Sequence, residues 1–245
     1  MDMKILGSGK IASGEYEKIA ISGSGKLSGL VRCTGFYVSG SASGESLECA
    51  DECKIAGSCK FSRDVKAKTL VISGSLSCGD INAENEVRVA GSAKCEGSLK
   101  CASLTIAGTV SVSGDAEAET VKLDGVLNCA GLLNAEEISI KFEKNMTIGS
   151  IGGSKIVILR KNPAKQTARL PLFSSLSNWE GNVLVKNAIE GDEIALENVI
   201  AESVSGRIVA IGDGCEIGLV QYSDRFEISP NAKVGRIEHL GEEKI

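Results

Sequence analysis

A glycine follows an apolar or small pair at positions 23, 40, 57, 74, 91, 108 and 125, each 17 residues after the last. Its setting barely changes: Ile21-Ser22-Gly23, Ile55-Ala56-Gly57, Ile72-Ser73-Gly74, Ile106-Ala107-Gly108. Self-similarity at a fixed period marks a stacked repeat architecture. Within each copy, pairs of apolar residues alternate with polar ones. One pair runs Phe36/Val38, Cys53/Ile55, Leu70/Ile72, Val87/Val89 and Leu104/Ile106; a second runs Cys59/Phe61, Leu76/Cys78, Ala93/Cys95 and Val110/Val112. A third pair (Val31/Cys33, Val65/Ala67, Leu99/Cys101) slips back by one at Leu47/Cys49 and Ile81/Ala83.

Period-two alternation describes a strand with one face buried. Three such strands in 17 residues, separated by Gly, Ser, Asp and Asn, leave no room for helices. A coil whose turns stack at about 4.8 Å returns like residues to the same column, which a flat meander does not. A flexible Gly/Ser linker would not hold β-branched residues in register. The sequence therefore predicts an all-β fold: a single-stranded parallel β-helix of triangular cross-section, with about 17 residues per coil. The glycines mark one corner, where either a positive φ or close backbone approach excludes a Cβ.

Low aromatic content, 4% against 42% hydrophobic residues, suits a narrow interior of Ile, Val, Leu, Ala and Cys. The net charge of −5, without basic patches carrying aromatics, argues against nucleic acid as a partner. No apolar run reaches membrane-spanning length, and the first residues lack the pattern of a secretory leader. Of nine cysteines, Cys33, Cys49, Cys53, Cys59, Cys78, Cys95, Cys101 and Cys129 fall on inward columns, where a thiol acts as a small hydrophobe. With His239 the only histidine, and no paired CxxC, no metal site or other cofactor is expected. Free thiols fit a reducing cytoplasm, with association at a membrane surface as a second setting.

Residues 1–159 read as N-terminal coils, 160–182 as an inserted excursion, and 183–245 as C-terminal coils with a frayed tail. The first coil is incomplete: Ile5-Leu6-Gly7-Ser8-Gly9-Lys10-Ile11 precedes its copy at Ile21–Leu27 by 16 residues. Counted together, the coils number about eleven, a rod of roughly 50 Å. In the excursion, Leu172, Phe173, Leu176 and Trp179 fall at helical spacing behind Lys165 and Arg169. These six form a candidate contact for a membrane surface or protein partner, beside the plainer reading of a flap folded onto the rod.

The phrase Ile21-Ser22-Gly23-Ser24-Gly25-Lys26-Leu27-Ser28-Gly29, repeated in further coils, resembles the bactofilins, the bacterial polymer-forming cytoskeletal proteins. The phrases Ile189–Asn198 and Ile211–Ile217 resemble the tail of a longer Firmicutes-type branch of that family. The resemblance implies a right-handed β-helix that assembles end to end without nucleotide. Three features depart from the usual member: the 17-residue coil where about 18 is usual, the lack of flanking tails, and the insertion at 160–182.

No enzyme chemistry is legible. Hexapeptide acyltransferases need strict six-residue spacing and a histidine in a cleft between coils; a zinc site on that fold needs three histidines. Asp51, Asp64, Asp80, Asp115 and Glu117 lie outward among Lys54, Lys60, Lys66 and Lys94, the pattern of a solvated face. No phosphate-binding GxxxxGK[ST] phrase occurs. The expected function is structural: a rod polymerising head to tail with itself through open end coils, because an unpaired strand edge templates another strand. The residues expected at that interface are Ile5, Leu6 and Ile11 at one end, and Phe226, Ile228, Val234 and Ile237 at the other. The alternative is a non-polymerising scaffold or adhesin-like module that binds through its flat faces or the excursion.

Overall fold

The computed structural model describes residues 1–161 and 181–241. Every strand pairing in it is parallel, and the pairings link the strands into one sheet wound as a solenoid of about 13 coils with about 17 residues per turn. The rod is thus longer than the eleven coils counted from sequence. The irregular stretch after Lys141 and the C-terminal segment both supply regular levels.

The glycine period is the coil. Ile72 pairs in register with Val89, Val89 with Ile106, and Leu123 with Ile140, so like residues stack. The incomplete first coil joins the same columns, with Ile5 on Ile21 and Ile11 on Leu27. Beyond the described gap the stack resumes without a change of partner: the strand Met146–Arg160 pairs with Val183–Leu196, placing Ile156 on Ile194 and Ile158 on Leu196. Val209 and then Phe226 continue that column.

Of the two corner mechanisms, close approach is the one used. The seven glycines of the series do not have positive φ, which among the described residues occurs at Gly14, Gly29, Gly214 and Asn198. A Cβ on any of the seven would instead lie 1.8–2.2 Å from a carbonyl oxygen of the glycine one coil below, as at Gly91 against Gly74. The backbone at this corner is in van der Waals contact with itself, and only hydrogen fits between.

The other corners differ from the sequence expectation of three separate strands. In most coils the second and third sides run on as one strand, for example Leu30–Val38, Ser46–Ile55 and Ile81–Val89. The chain turns there through a β-bulge, between Cys49 and Glu52 or between Ala83 and Glu86, without leaving the ladder. The one-residue slips at Leu47/Cys49 and Ile81/Ala83 are these bulges: spacings of 16 and 18 alternate, while the glycine corner keeps to 17.

Inside, the core is a single apolar column from Ile5 to Val220, and no polar or charged residue is buried among the described residues. Phe36 and Phe61 meet edge to face at 6.2 Å within it. No buried side-chain nitrogen or oxygen lacks a hydrogen-bond partner among the described residues.

Because a Cβ on Gly91 would run into the backbone of Ser73 and Gly74 in the coil below, Gly91→Ala is expected to destabilise the rod by roughly 2–3 kcal/mol. Gly7→Ala, whose Cβ would meet nothing within 4 Å, should be close to neutral. Chemical denaturation of both variants measures the difference, and equal stability would contradict steric exclusion as the basis of the period.

Candidate functional site: the two ends and the flat faces

The two ends of the solenoid are built differently. At the N-terminal end, the strands Met3–Ile5 and Ser8–Ile11 lie over the next coil. Ile5 folds across Gly9, where an added Cβ would sit 3.1 Å from its Cδ1. Ile5 and Ile11 are consequently buried. Leu6 has the opposite parity and points outward, 69% exposed. The Glu17 amide donates to the Met1 carbonyl at 3.1 Å and ties the first residue down.

At the C-terminal end, the strand Lys233–His239 covers Glu216–Tyr222, and among the described residues no strand lies above the third side of that coil. Ile228 is 44% exposed and Ile237 47% exposed, while Phe226 and Val234 are half-buried. A groove of about 700 Å³ opens there, lined in part by Ile200, Ile228, Val234 and Ile237. Beside it Tyr222 stacks on Phe226 at 5.2 Å and meets the His239 ring at 5.0 Å. His239 Nε2 lies 2.9 Å from the Ser223 carbonyl oxygen, which holds the ring against the open coil.

Of the seven residues assigned to assembly from sequence, the four at the C-terminal end come together around one open edge. The three at the N-terminal end do not share a surface, since Ile5 and Ile11 are core and Leu6 lies on the flank. The second candidate set, Lys165, Arg169, Leu172, Phe173, Leu176 and Trp179, lies outside the described residues. Next to that gap, Lys161 pairs with Asp124 and, at 3.6 Å, with Glu143, and its amide donates to the Phe142 carbonyl at 2.9 Å.

One flat face has an unusual composition. The four-residue strands from Ser8–Ile11 through Ser24–Leu27, Ser58–Phe61 and Ser92–Cys95 to Thr109–Val112 present outward only Ser, Thr and Lys. Ser75 Oγ donates to Ser58 Oγ at 3.1 Å across neighbouring coils. Lys94 pairs with Glu96 at 3.2 Å; Lys10, Lys26 and Lys60 have no ion pair among the described residues. A shallow groove of about 420 Å³ follows Ser58, Ser75, Ser92 and Thr109 along this face. Another face carries opposite charges in register: Glu48 bridges Arg32 at 2.8 Å and Lys66 at 3.5 Å, and Lys100 meets Glu117 at 2.7 Å.

Two structural devices escaped the sequence reading. The outward aspartates form a corner ladder: Asp64 accepts the Asp80 amide at 3.2 Å, Asp80 the Ser98 amide at 2.7 Å, and Asp115 the Leu132 amide at 2.8 Å. Ser98 Oγ fills the intervening rung by accepting the Asp115 amide at 3.3 Å. Their spacings of 16, 18 and 17 carried the signal. The buried cysteines do more than fill space: Cys95 Sγ donates to the carbonyls of Gly79 at 2.9 Å and Ser98 at 3.3 Å, and Cys49 does the same to Thr34 and Glu52. All nine cysteines are free and buried. Burial pushes the Cys59 and Cys101 thiols up to about 12, so they stay protonated and unreactive.

Among the described residues, no group of three His, Cys, Asp or Glu side chains is placed to hold a metal ion. No helix among them is long and apolar enough to cross a membrane.

Comparison with known proteins gives a family match. The model for bactofilin, described as polymer-forming cytoskeletal, matches residues 68–152. Two proteins of Bacillus subtilis (strain 168), the uncharacterized proteins YhbF and YhbE, are similar at 31% identity over 102 residues and 33% over 101 residues. Each alignment covers 41% of this chain, and they cover 38% and 40% of the relatives, so the chain spans about two-fifths of the length of the curated relatives it matches. No solved structure matches. The repeat phrases and the stacked coils they fold into agree with this match, which covers residues 68–152 of the chain.

Proposed function

We propose that this protein is a nucleotide-independent, polymer-forming structural protein that assembles head to tail through its end coils. The observation that carries the reading is the open C-terminal coil, where Phe226, Ile228, Val234 and Ile237 present apolar surface beside an unpaired strand edge. A β-edge of this kind is satisfied by another strand, and burial of the exposed isoleucines adds roughly 25 cal/mol per Å² of apolar surface. The partner in the reading is the N-terminal end of a second copy, with Leu6 exposed on the flank beside it. A contact between unlike ends does not close on itself and so propagates into a fibre. The place of action in this reading is the cytoplasm, and the role is not enzymatic.

The test is electron microscopy and sedimentation of the purified chain without nucleotide. Unbranched fibres are expected. Phe226→Asp, Ile237→Asp and Leu6→Asp should disperse them while the rod keeps its melting temperature within a few degrees, because these side chains are not in the closed core. Ile11→Asp is the contrasting case: it buries a charge and should unfold the N-terminal coils. If the Phe226 and Leu6 variants both still sediment as polymer, end-coil assembly is wrong.

A second reading is favoured by the acid-free serine–lysine face, which suits an anionic partner surface on a rod that does not polymerise. It predicts that exchanging Lys26, Lys60 and Lys94 for glutamate abolishes salt-sensitive co-sedimentation with vesicles containing anionic lipid. Vesicle binding that is absent from the unmodified chain, or unchanged by the triple exchange, would remove this reading.

A further inference from the structure

Two pairs of the nine buried thiols stack in register on adjacent coils: Cys33 on Cys49 and Cys78 on Cys95. Neighbouring parallel strands lie about 4.8 Å apart, inside the Cα separation of roughly 4.4–6.8 Å that a disulfide spans. Members of one column also point the same way, so neither side chain must cross the backbone to reach the other. Register alone therefore makes both pairs geometrically able to bond.

What separates them is access. Cys33 and Cys49 line a surface groove of about 480 Å³ rimmed by Arg32, Glu48 and Lys66, a volume within the range that holds a small organic ligand. Cys78 and Cys95 do not line it. Cys59 and Cys101 line other grooves but have no thiol stacked on them; the register neighbours of Cys59 are Ala42 and Leu76. A bulge follows Cys49 in the ladder, and Cys33 and Cys49 are 4% and 3% exposed against 2% and 0% for Cys78 and Cys95.

We propose that Cys33 and Cys49 form a thiol–disulfide exchange site, at which a low-molecular-weight disulfide entering the groove oxidises the pair and staples two neighbouring coils. Cys49 is the attacking thiol. At rest it donates to the Thr34 carbonyl at 3.3 Å. A hydrogen bond from Cys33, with further ones from the Asp51 and Phe36 amides, holds its thiolate below the usual thiol range, while the same hydrogen bond pushes Cys33 above it.

With oxidised glutathione as the disulfide, Cys49 loses its proton to water and its sulfur attacks one glutathione sulfur. The glutathione S–S bond breaks, and one glutathione leaves and takes up a proton. Cys33 then loses its proton and attacks the Cys49 sulfur; the mixed disulfide breaks and the second glutathione leaves as thiol. Two protein thiols are oxidised and one small disulfide is reduced to two thiols. The product closes a loop of one coil, which restricts the unfolded chain.

The experiment equilibrates the full chain across ratios of oxidised to reduced glutathione, blocks the remaining thiols, and maps cross-linked peptides by mass spectrometry. Expected are a Cys33–Cys49 link that forms before any other, a melting temperature raised by a few degrees, and a trapped glutathione adduct on Cys49 in Cys33→Ala. A pair that stays reduced at every ratio overturns the proposal, as does prior oxidation of Cys78–Cys95. The mapping of the unmodified chain decides the question even if Cys33→Ala does not fold.

Discussion

At one corner of this solenoid the backbone of each coil rests on the backbone of the coil below, with a glycine carbonyl where any side chain would have to begin. Everything else is set from that contact. It fixes the rise between coils, and the rise fixes which side chains stack. An inward column must then be apolar along its whole length, because a polar atom there would find only apolar neighbours above and below. The absence of buried polar side chains follows from the stacking and is not a separate property of composition.

The remaining corners tolerate variation because they are not close-packed in this way. They absorb one-residue differences through bulges, and side chains supply what the backbone geometry leaves open. Asp64, Asp80, Ser98 and Asp115 accept amides one coil on, and Cys49, Cys95 and Cys129 donate to corner carbonyls. Charge is distributed to suit the same stacking. Arg32, Glu48 and Lys66 alternate sign up one face, so neighbours at about 4.8 Å attract. On the serine–lysine face Ser43 separates Lys26 from Lys60 and Ser77 separates Lys60 from Lys94, while Lys10 lies directly on Lys26.

The fold was legible because its signal is repeated. One glycine spacing or one Ile-x-Ile pair would be ambiguous, but seven copies in register admit a coil and little else. The C-terminal coils were equally readable from Ile194/Leu196 and Val209/Ile211, which pair as their spacing implied. The coil number was read short, because the levels around Met146–Arg160 keep their ladder although the glycine phrase has lapsed. The ends were only half legible. Apolar content marks Ile5 and Ile228 alike, and whether a side chain is covered depends on how the terminal strands fold over it, as Ile5 does over Gly9. Leu6 shows the limit most simply: it aligns with the outward Ser22 of the next copy, yet its hydrophobicity placed it among the end-coil residues.

Every interior coil is held by two neighbours and each terminal coil by one. In a one-dimensional stack, stability is a sum of coil and interface terms, so opening starts where an interface is missing. The closed N-terminal mouth and the bare edge at Ile228 and Ile237 make the two directions of unwinding unequal. Amide protons on Glu216–Ile228 will therefore exchange with solvent well before those around Gly91, and the molecule carries a built-in sense of direction from its sealed start to its fraying finish.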